Sequence, residues 1–239
     1  MSTRSAFDQQ LQDLSDRVVT MASMVDKAIA RSLEALRLQN VALADEVQRS
    51  DSAINRMHRE SEHEAIQLIA LQGPVGQDVR KIASSMAIFS NLERMGDYAA
   101  GIAKIVVEGA SEPLLKPLTD VPQMGIIARE MLDSAVLAFI NNDIELARSV
   151  SVRDDELDLL YDGIVTELMD YMSKDPSSVV RATHLLWIAH NLERIGDRVT
   201  NICERVVFTK TGEFEELDGG RRSRQRFSSN GTSDNASEG

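Results

Sequence analysis

The feature that most constrains this chain is that part of it occurs twice. NLERMGDYAAGIAKIV, beginning at Asn91, aligns with NLERIGDRVTNICERV, beginning at Asn191, at an offset of 100 residues. Upstream, VALADEVQRSDSAIN from Val41 aligns with IELARSVSVRDDELD from Ile144 at an offset of 103, which pairs Asp51 with Asp154 and Asn55 with Asp158. The small change in offset is what a turn between helices absorbs at little entropic cost. A repeat of this length is one supersecondary unit used twice, so the architecture has to be a doubled one.

That unit reads as helical. Phe7, Leu11, Leu14, Val18, Met21, Val25 and Ala28 follow one another in steps of four and three, the rhythm of a single apolar stripe on a helix. This first helix runs to about Leu38, a second from about Val41 to Leu71, and a third from Pro74, placed in its first turn, to about Glu108. Gly109, Pro113, Pro117 and Pro122 then interrupt any periodicity. Three further helices are expected over 124–141, 143–173 and 176–209, the last capped by Asp175 ahead of Pro176. With few prolines and 4% aromatic residues, the composition also suits helices better than sheets. The expectation is an all-α protein of two tandem three-helix bundles. The first bundle occupies 1–110, a linker 111–122 and the second bundle 123–211. A disordered tail covers 212–239, too polar from Gly219 onward to bury anything. Arg221, Arg222, Arg224 and Arg226 are expected to be solvated in that tail, with docking on an acidic partner as the alternative.

The formal charge of -12 disfavours nucleic acid and anionic bilayers and favours cations. Cys203, the only cysteine, rules out an internal disulfide and suits a reducing compartment. No apolar run approaches the roughly 18 residues of a membrane span, and Met1 to Asp8 lack the pattern of a signal peptide. A cytoplasmic protein without membrane insertion is expected.

The repeated segments carry repeated acids. Glu93 and Asp97 are four apart, as are Glu193 and Asp197, so each pair shares one helix face. Asp51 with Asn55, and Asp154 with Asp158, have the same spacing on the preceding helix. In the first repeat Asn55 and Glu93 are each 19 residues from Pro74, and Asp51 and Asp97 each 23. In the second, Asp158 and Glu193 lie 18 and 17 residues from Pro176, and Asp154 and Asp197 lie 22 and 21. In an antiparallel hairpin these residues stand level. Carboxylates gathered at one height repel one another unless cations lie between them, and an excess of oxygen donors suits hard or borderline metal ions. Gly96 and Gly196 recur beside them although a glycine inside a helix costs about 1 kcal/mol relative to alanine, which close approach of a backbone or a ligand would explain.

Blander readings stand beside this one. A lone Glu-x-x-x-Asp on a helix is usually a solvated face, and Arg94, Arg194 and Arg198 offer surface ion pairs of little worth. Asn91 and Asn191 are either ligands or hydrogen bonders in helix packing. Asn201 and Glu204 could extend the second cluster, whereas Gly101 and Lys104 hold those places in the first. His58, His63, His184 and His190 are read as surface or core residues. A carboxylate-bridged di-iron enzyme needs two Glu-x-x-His pairs, and Glu60 with His63 supplies one. A plain helical scaffold is the third reading. No glycine-rich phosphate loop, nucleophile elbow or zinc-finger spacing is present, which disfavours hydrolases and nucleotide-driven enzymes.

The motifs NLERMGD and NLERIGDR-x-x-NICE, on the third helix of two repeated bundles, resemble the PhoU family of phosphate-signalling regulators over about residues 5–210. The resemblance implies multinuclear iron or zinc clusters held by Asp51, Asn55, Glu93 and Asp97 in one repeat and by Asp154, Asp158, Glu193 and Asp197 in the other. Asn55 departs from the acidic residue of the motif, which implies weaker binding at the first site. The resemblance further implies an adaptor rather than an enzyme. Such an adaptor contacts a phosphate ABC transporter ATPase and a sensor histidine kinase at the inner face of the membrane and represses phosphate-starvation genes. A homodimer is compatible with it.

Overall fold

In the computed structural model, which describes residues 3–217, each repeat opens on a helical hairpin closed by the same turn. Helices α1 (Thr3–Leu38) and α4 (Asp120–Asn141) are followed by a residue in the left-handed region, Gln39 at φ 47° and Asn142 at φ 50°. The next residue then caps the following helix. Asn40 Oδ1 accepts from the Leu43 amide at 3.1 Å to start α2 (Val41–Gln72), and Asp143 Oδ1 accepts from the Leu146 amide at 3.0 Å to start α5 (Ile144–Lys174). Both caps sit at the 103-residue offset of the repeat, so the duplication extends into its turns.

The second turn of each repeat departs from expectation. Pro74 is not in the first turn of a helix. Gly73 ends α2 at φ 54°, its N–H donating to Ile69 O, and Gly76 adopts φ 62° and ψ -123°, so α3 begins only at Gln77 and runs to Glu108. Two glycines in conformations barred to most residues make a loop tight enough to leave the proline between the helices. In the second repeat Asp175 caps as expected, with Oδ1 accepting from the Ser177 amide at 2.9 Å. Pro176–Ser178 form a single 3-10 turn, and α6 (Val179–Thr211) follows. Helix α4 also starts earlier than expected, at Asp120, with Pro122 inside its first turn.

Helices α1–α3 and α4–α6 form the two bundles, and the predicted stripe from Phe7 to Ala28 on α1 is buried throughout. The bundles pack against each other along α3 with α6 and α1 with α4, over one continuous apolar core. Polar contacts align that interface. Arg129 grips Asp26 with Nε and Nη2 at 2.6 and 3.0 Å, and the Ser84 hydroxyl donates to Arg205 O at 3.3 Å. The connecting segment is pinned by the half-buried Lys116, which pairs with Glu167, and by Gln39 Nε2 donating to Glu112 O at 2.8 Å.

The tail does not begin at residue 212. Gly212 at φ 81° ends α6, and the chain turns back along it: Phe214 stacks on Phe208 at 4.3 Å with the Arg205 guanidinium 5.2 Å over its ring. Glu215 takes Nε and Nη2 of Arg148 at 3.1 and 2.8 Å, and the Leu217 amide donates to Glu204 Oε1 at 3.1 Å. An aromatic pair and a two-pronged ion pair hold a segment whose composition alone reads as unstructured. The expectation for 218–239 falls outside the described residues.

Candidate metal centres

The antiparallel packing of α2 on α3 brings the first set of acids together. The Asn55 amide Nδ2 donates to Asp51 Oδ2 at 2.7 Å, which leaves Asp51 Oδ1 and Asn55 Oδ1 buried with no hydrogen-bond partner. Burial pushes the Asp51 carboxyl above the usual carboxylate range, and the charges of Asp97 and, less, Glu93 push the same way, against the Asn55 bond. The strongest of these neighbours, Asp97, is the residue that counting from the turn places level with Asp51. Within α3, Arg94 Nη1 approaches Asp97 Oδ2 at 3.2 Å and Arg94 Nε approaches Glu93 Oε2 at 3.6 Å.

The second set is more deeply placed. Asp154 on α5 is 7% exposed and Glu193 on α6 is 2% exposed. Thr200 Oγ1 donates to Asp154 Oδ2 at 3.3 Å, Arg194 Nη1 donates to Asp197 Oδ2 at 2.8 Å, and Arg194 Nε stands 3.4 Å from Glu193 Oε2. His190 Nδ1 is 3.8 Å from the same Glu193 oxygen, in a cage with Trp187 edge-on at 5.6 Å and Tyr161 at 6.1 Å. Asp158 is half-buried one turn along α5. Thr200 and His190 escape a reading built on carboxylates. The available signal was their spacing, three residues after Asp197 and three before Glu193.

Both recurrent glycines mark where the acid-bearing helices touch. A Cβ on Gly96 would lie 3.1 Å from Ile54 Cδ1 and 3.4 Å from Asp51 Oδ1; on Gly196 it would lie 2.4 Å from Leu157 Cδ2 and 2.5 Å from Asp154 Oδ1. Close approach of the neighbouring helix therefore accounts for them, and Asp51 and Asp154 are the residues that come near. The asparagines serve packing: Asn91 Nδ2 donates to Ala87 O at 2.9 Å in its own helix, and the Asn191 amide abuts Gly101 across the bundle interface.

As sets of donors, both clusters suit a hard or borderline cation. They offer carboxylate and amide oxygens, and in the first cluster two buried acceptors face no donor. In the arrangement present, the carboxylates of α3 and α6 are engaged by Arg94 and Arg194. Among the described residues no three His, Cys, Asp or Glu side chains are grouped as metal ligands. Glu60 and His63 are exposed, and His63 Nε2 bonds to Gln67, so α2 offers no core pair of the di-iron kind.

Cys203 is buried on α6, and its thiol is pushed up to about 12, by burial first and then by the charges of Asp154 and Glu204. The nucleophilic thiolate is thereby suppressed. Native protein at pH 8 is expected to leave a disulfide reagent such as dithionitrobenzoate essentially unreacted over an hour, with one equivalent of thiol released in guanidinium. Rapid labelling of the native protein would contradict this placement.

Comparison with known proteins agrees with the doubled architecture. The PhoU domain model matches residues 18–106 and 121–206, one stretch in each bundle. The chain is 39% identical over 206 residues to a phosphate-specific transport system accessory protein PhoU homolog of Aquifex aeolicus, covering 86% of this chain and 93% of the relative. To the homolog of the same description in Clostridium acetobutylicum it is 36% identical over 217 residues, covering 90% and 99%. The crystal structure of the phosphate transport system regulatory protein PhoU from Streptococcus pneumoniae superposes with a TM-score of 0.81 at 32% identity, covering 87% of this chain and 99% of that one. Matched in both halves and along nearly the whole length of these relatives, the chain belongs to the PhoU family.

Proposed function

We propose that this chain is a regulatory adaptor of phosphate uptake whose two acid clusters hold metal ions and so shape a docking surface. The observation that carries the reading is the twice-repeated, partly to fully buried set of oxygen donors: Asp51, Asn55, Glu93 and Asp97 in one bundle, and Asp154, Asp158, Glu193 and Asp197 in the other. Asp154 and Glu193 are the most deeply buried members, and in the first cluster Asp51 Oδ1 and Asn55 Oδ1 are buried acceptors without a hydrogen bond. Arg194 meets Glu193 and Asp197 from the exposed side, in ion pairs that solvent screens. A bound iron or zinc cluster would add positive charge among these oxygens, with Arg94 and Arg194 giving up their acids to it. Asn55 contributes a neutral oxygen where Asp158 contributes a charged one, so the first cluster binds a cation less tightly.

The relatives' descriptions as accessory and regulatory proteins of phosphate transport support a non-enzymatic role. The partners we assign are the transporter's ATPase and a sensor histidine kinase, with this chain acting as a negative regulator from the cytoplasmic side. No helix among the described residues is long and apolar enough to cross a membrane.

The test is elemental analysis of untagged protein together with Glu193→Ala and Asp197→Ala. Iron or zinc at one or more equivalents is expected in the parent, with a several-fold loss in the double variant and derepressed phosphate-responsive expression. Metal-free parent protein, with expression unaffected by the double variant, would remove the reading.

A further inference from the structure

Where α3 ends and α6 begins, the two bundles and the connecting segment leave a cavity of about 50 Å³ that opens to solvent. Its walls are mostly aliphatic, with Leu36 of α1, Ile105 of α3, Leu114 of the connecting segment, and Leu185 and Ile188 of α6. Arg181 of α6 also lines it. The ring of His184 sits on Gly109 so closely that a Cβ there would lie 3.1 Å from Nδ1. Arg181 is twelve residues before Glu193, about 18 Å along the helix, so this cavity is separate from the second acid cluster.

The Arg181 guanidinium is incompletely used. Its Nε is buried and makes no hydrogen bond, and Glu112 Oε2 stands 3.4 Å from that nitrogen without closing on it. A buried donor left without an acceptor is costly. The other end of the same interface shows the alternative. There α6 ends beside α3, and Arg80 Nε donates to Thr209 O at 3.4 Å with its guanidinium packed on Gly212. Past Gly109 the chain turns into the connecting segment, so Arg181 meets a movable side chain instead of a helix-end carbonyl. Gln39 Nε2 holds the Glu112 backbone carbonyl at 2.8 Å, whereas the Glu112 side chain is 53% exposed and can swing into solvent without moving the segment.

We propose that this cavity binds a short alkyl monocarboxylate, which takes the place of the Glu112 carboxylate on Arg181 and lays its chain against the aliphatic wall. Glu112 shows which head group the site accepts. A guanidinium pairs with a planar carboxylate by shape as well as charge. The wall selects the tail, since a mostly apolar pocket with one placed polar group suits a ligand divided in the same way. A single water takes up roughly 10–15 Å³ of such space, so the cavity holds a chain of about three or four carbons, as in butanoate. Inorganic phosphate fits poorly, because it would carry more charge against a wall that cannot hydrogen-bond it. Such a ligand site stands apart from the adaptor reading and needs neither metal nor partner protein.

Sodium butanoate is titrated into 15N-labelled full-length protein in EDTA, with sodium chloride holding the ionic strength constant, and amide shifts are followed. Saturable shifts are expected at residues 105–115 and 181–188, with a Kd on the order of 1 mM for so small a ligand. Arg181→Gln should weaken binding at least ten-fold. Glu112→Gln removes the competing carboxylate and should tighten binding at least three-fold, a gain that a damaged fold does not give. Acetate lacks the tail, and 1-butanol and inorganic phosphate lack the planar charged head group, so each should bind at least ten-fold more weakly. Four results would overturn the proposal: no saturable shift at these residues by 50 mM butanoate, an unchanged Kd in Arg181→Gln, no gain in Glu112→Gln, or any of the three other probes binding as tightly as butanoate.

Discussion

Phe89→Ala is expected to lower the stability of this protein by about 3–5 kcal/mol, the cost of emptying a buried aromatic site that cannot fully collapse. Phe89 is fully buried on α3, with Ile88 and Leu92 beside it equally hidden. Phe89 lies seven residues before Gly96 and so shares the face of α3 that meets Ile54 of α2, which places the void inside the first bundle. Leu71→Ala, at a side chain 78% exposed beside the α2–α3 loop, is the matched control and is expected within about 0.5 kcal/mol of the parent. Urea denaturation decides: the Phe89 variant should lose a large part of its midpoint at an unchanged slope, and the Leu71 variant should not. Equal midpoints for the two would mean that Phe89 is not packed in the core as described above.

The second large effect is an inequality between two glycines that look identical in sequence. Gly196→Ala forces a methyl group to within 2.4 Å of Leu157 Cδ2 and 2.5 Å of Asp154 Oδ1, so a buried carboxylate held by Thr200 has to move. Overpacking of this kind typically costs 1–3 kcal/mol, from which about 1 kcal/mol of improved helix propensity is recovered. So close a contact belongs in the upper half of that range, leaving a net loss of about 1–2 kcal/mol, and for a chain of this size the melting temperature should fall by roughly 2–8 °C. Gly96→Ala meets Ile54 at 3.1 Å and Asp51 at 3.4 Å, a contact that a few tenths of an ångström relieve, and should be neutral or slightly stabilising. Melting of the two variants side by side in EDTA checks this. A larger loss at Gly96 would reverse the assignment of which α-helical pair is packed more tightly.

Much of the fold could be read before any coordinates because it rests on short-range periodicity. The α1 stripe from Phe7 to Ala28 is set by spacing alone, as are the two hairpins of the repeat. The errors fell where local chemistry is degenerate. Pro74 suits a first helical turn or a loop equally well by its φ angle, and only the left-handed Gly73 and Gly76 exclude it from α3. Residues 212–217 look like solvent-exposed chain, yet Arg148, sixty-odd residues earlier, gives Glu215 a partner that no local pattern announces.

The candidate site divides in the same way. Level matching of Asp51 with Asp97 follows from equal helical rise on either side of a turn, and the raised carboxyl of Asp51 responds first, among charges, to Asp97. The depth of each acid was not legible, because burial depends on which neighbours cover a face. Asp154 and Glu193 sank into the second bundle while their counterparts Asp51 and Glu93 stayed half-exposed.

By itself, then, the sequence determined the helices, their duplication and the height at which the acids meet, since these follow from rise per residue and apolar rhythm. Only the tertiary structure decided how deeply each acid is buried, which glycine is crowded, and that the chain past α6 folds back along that helix. Those properties arise from contacts between residues far apart in the chain, whose distances no periodicity encodes.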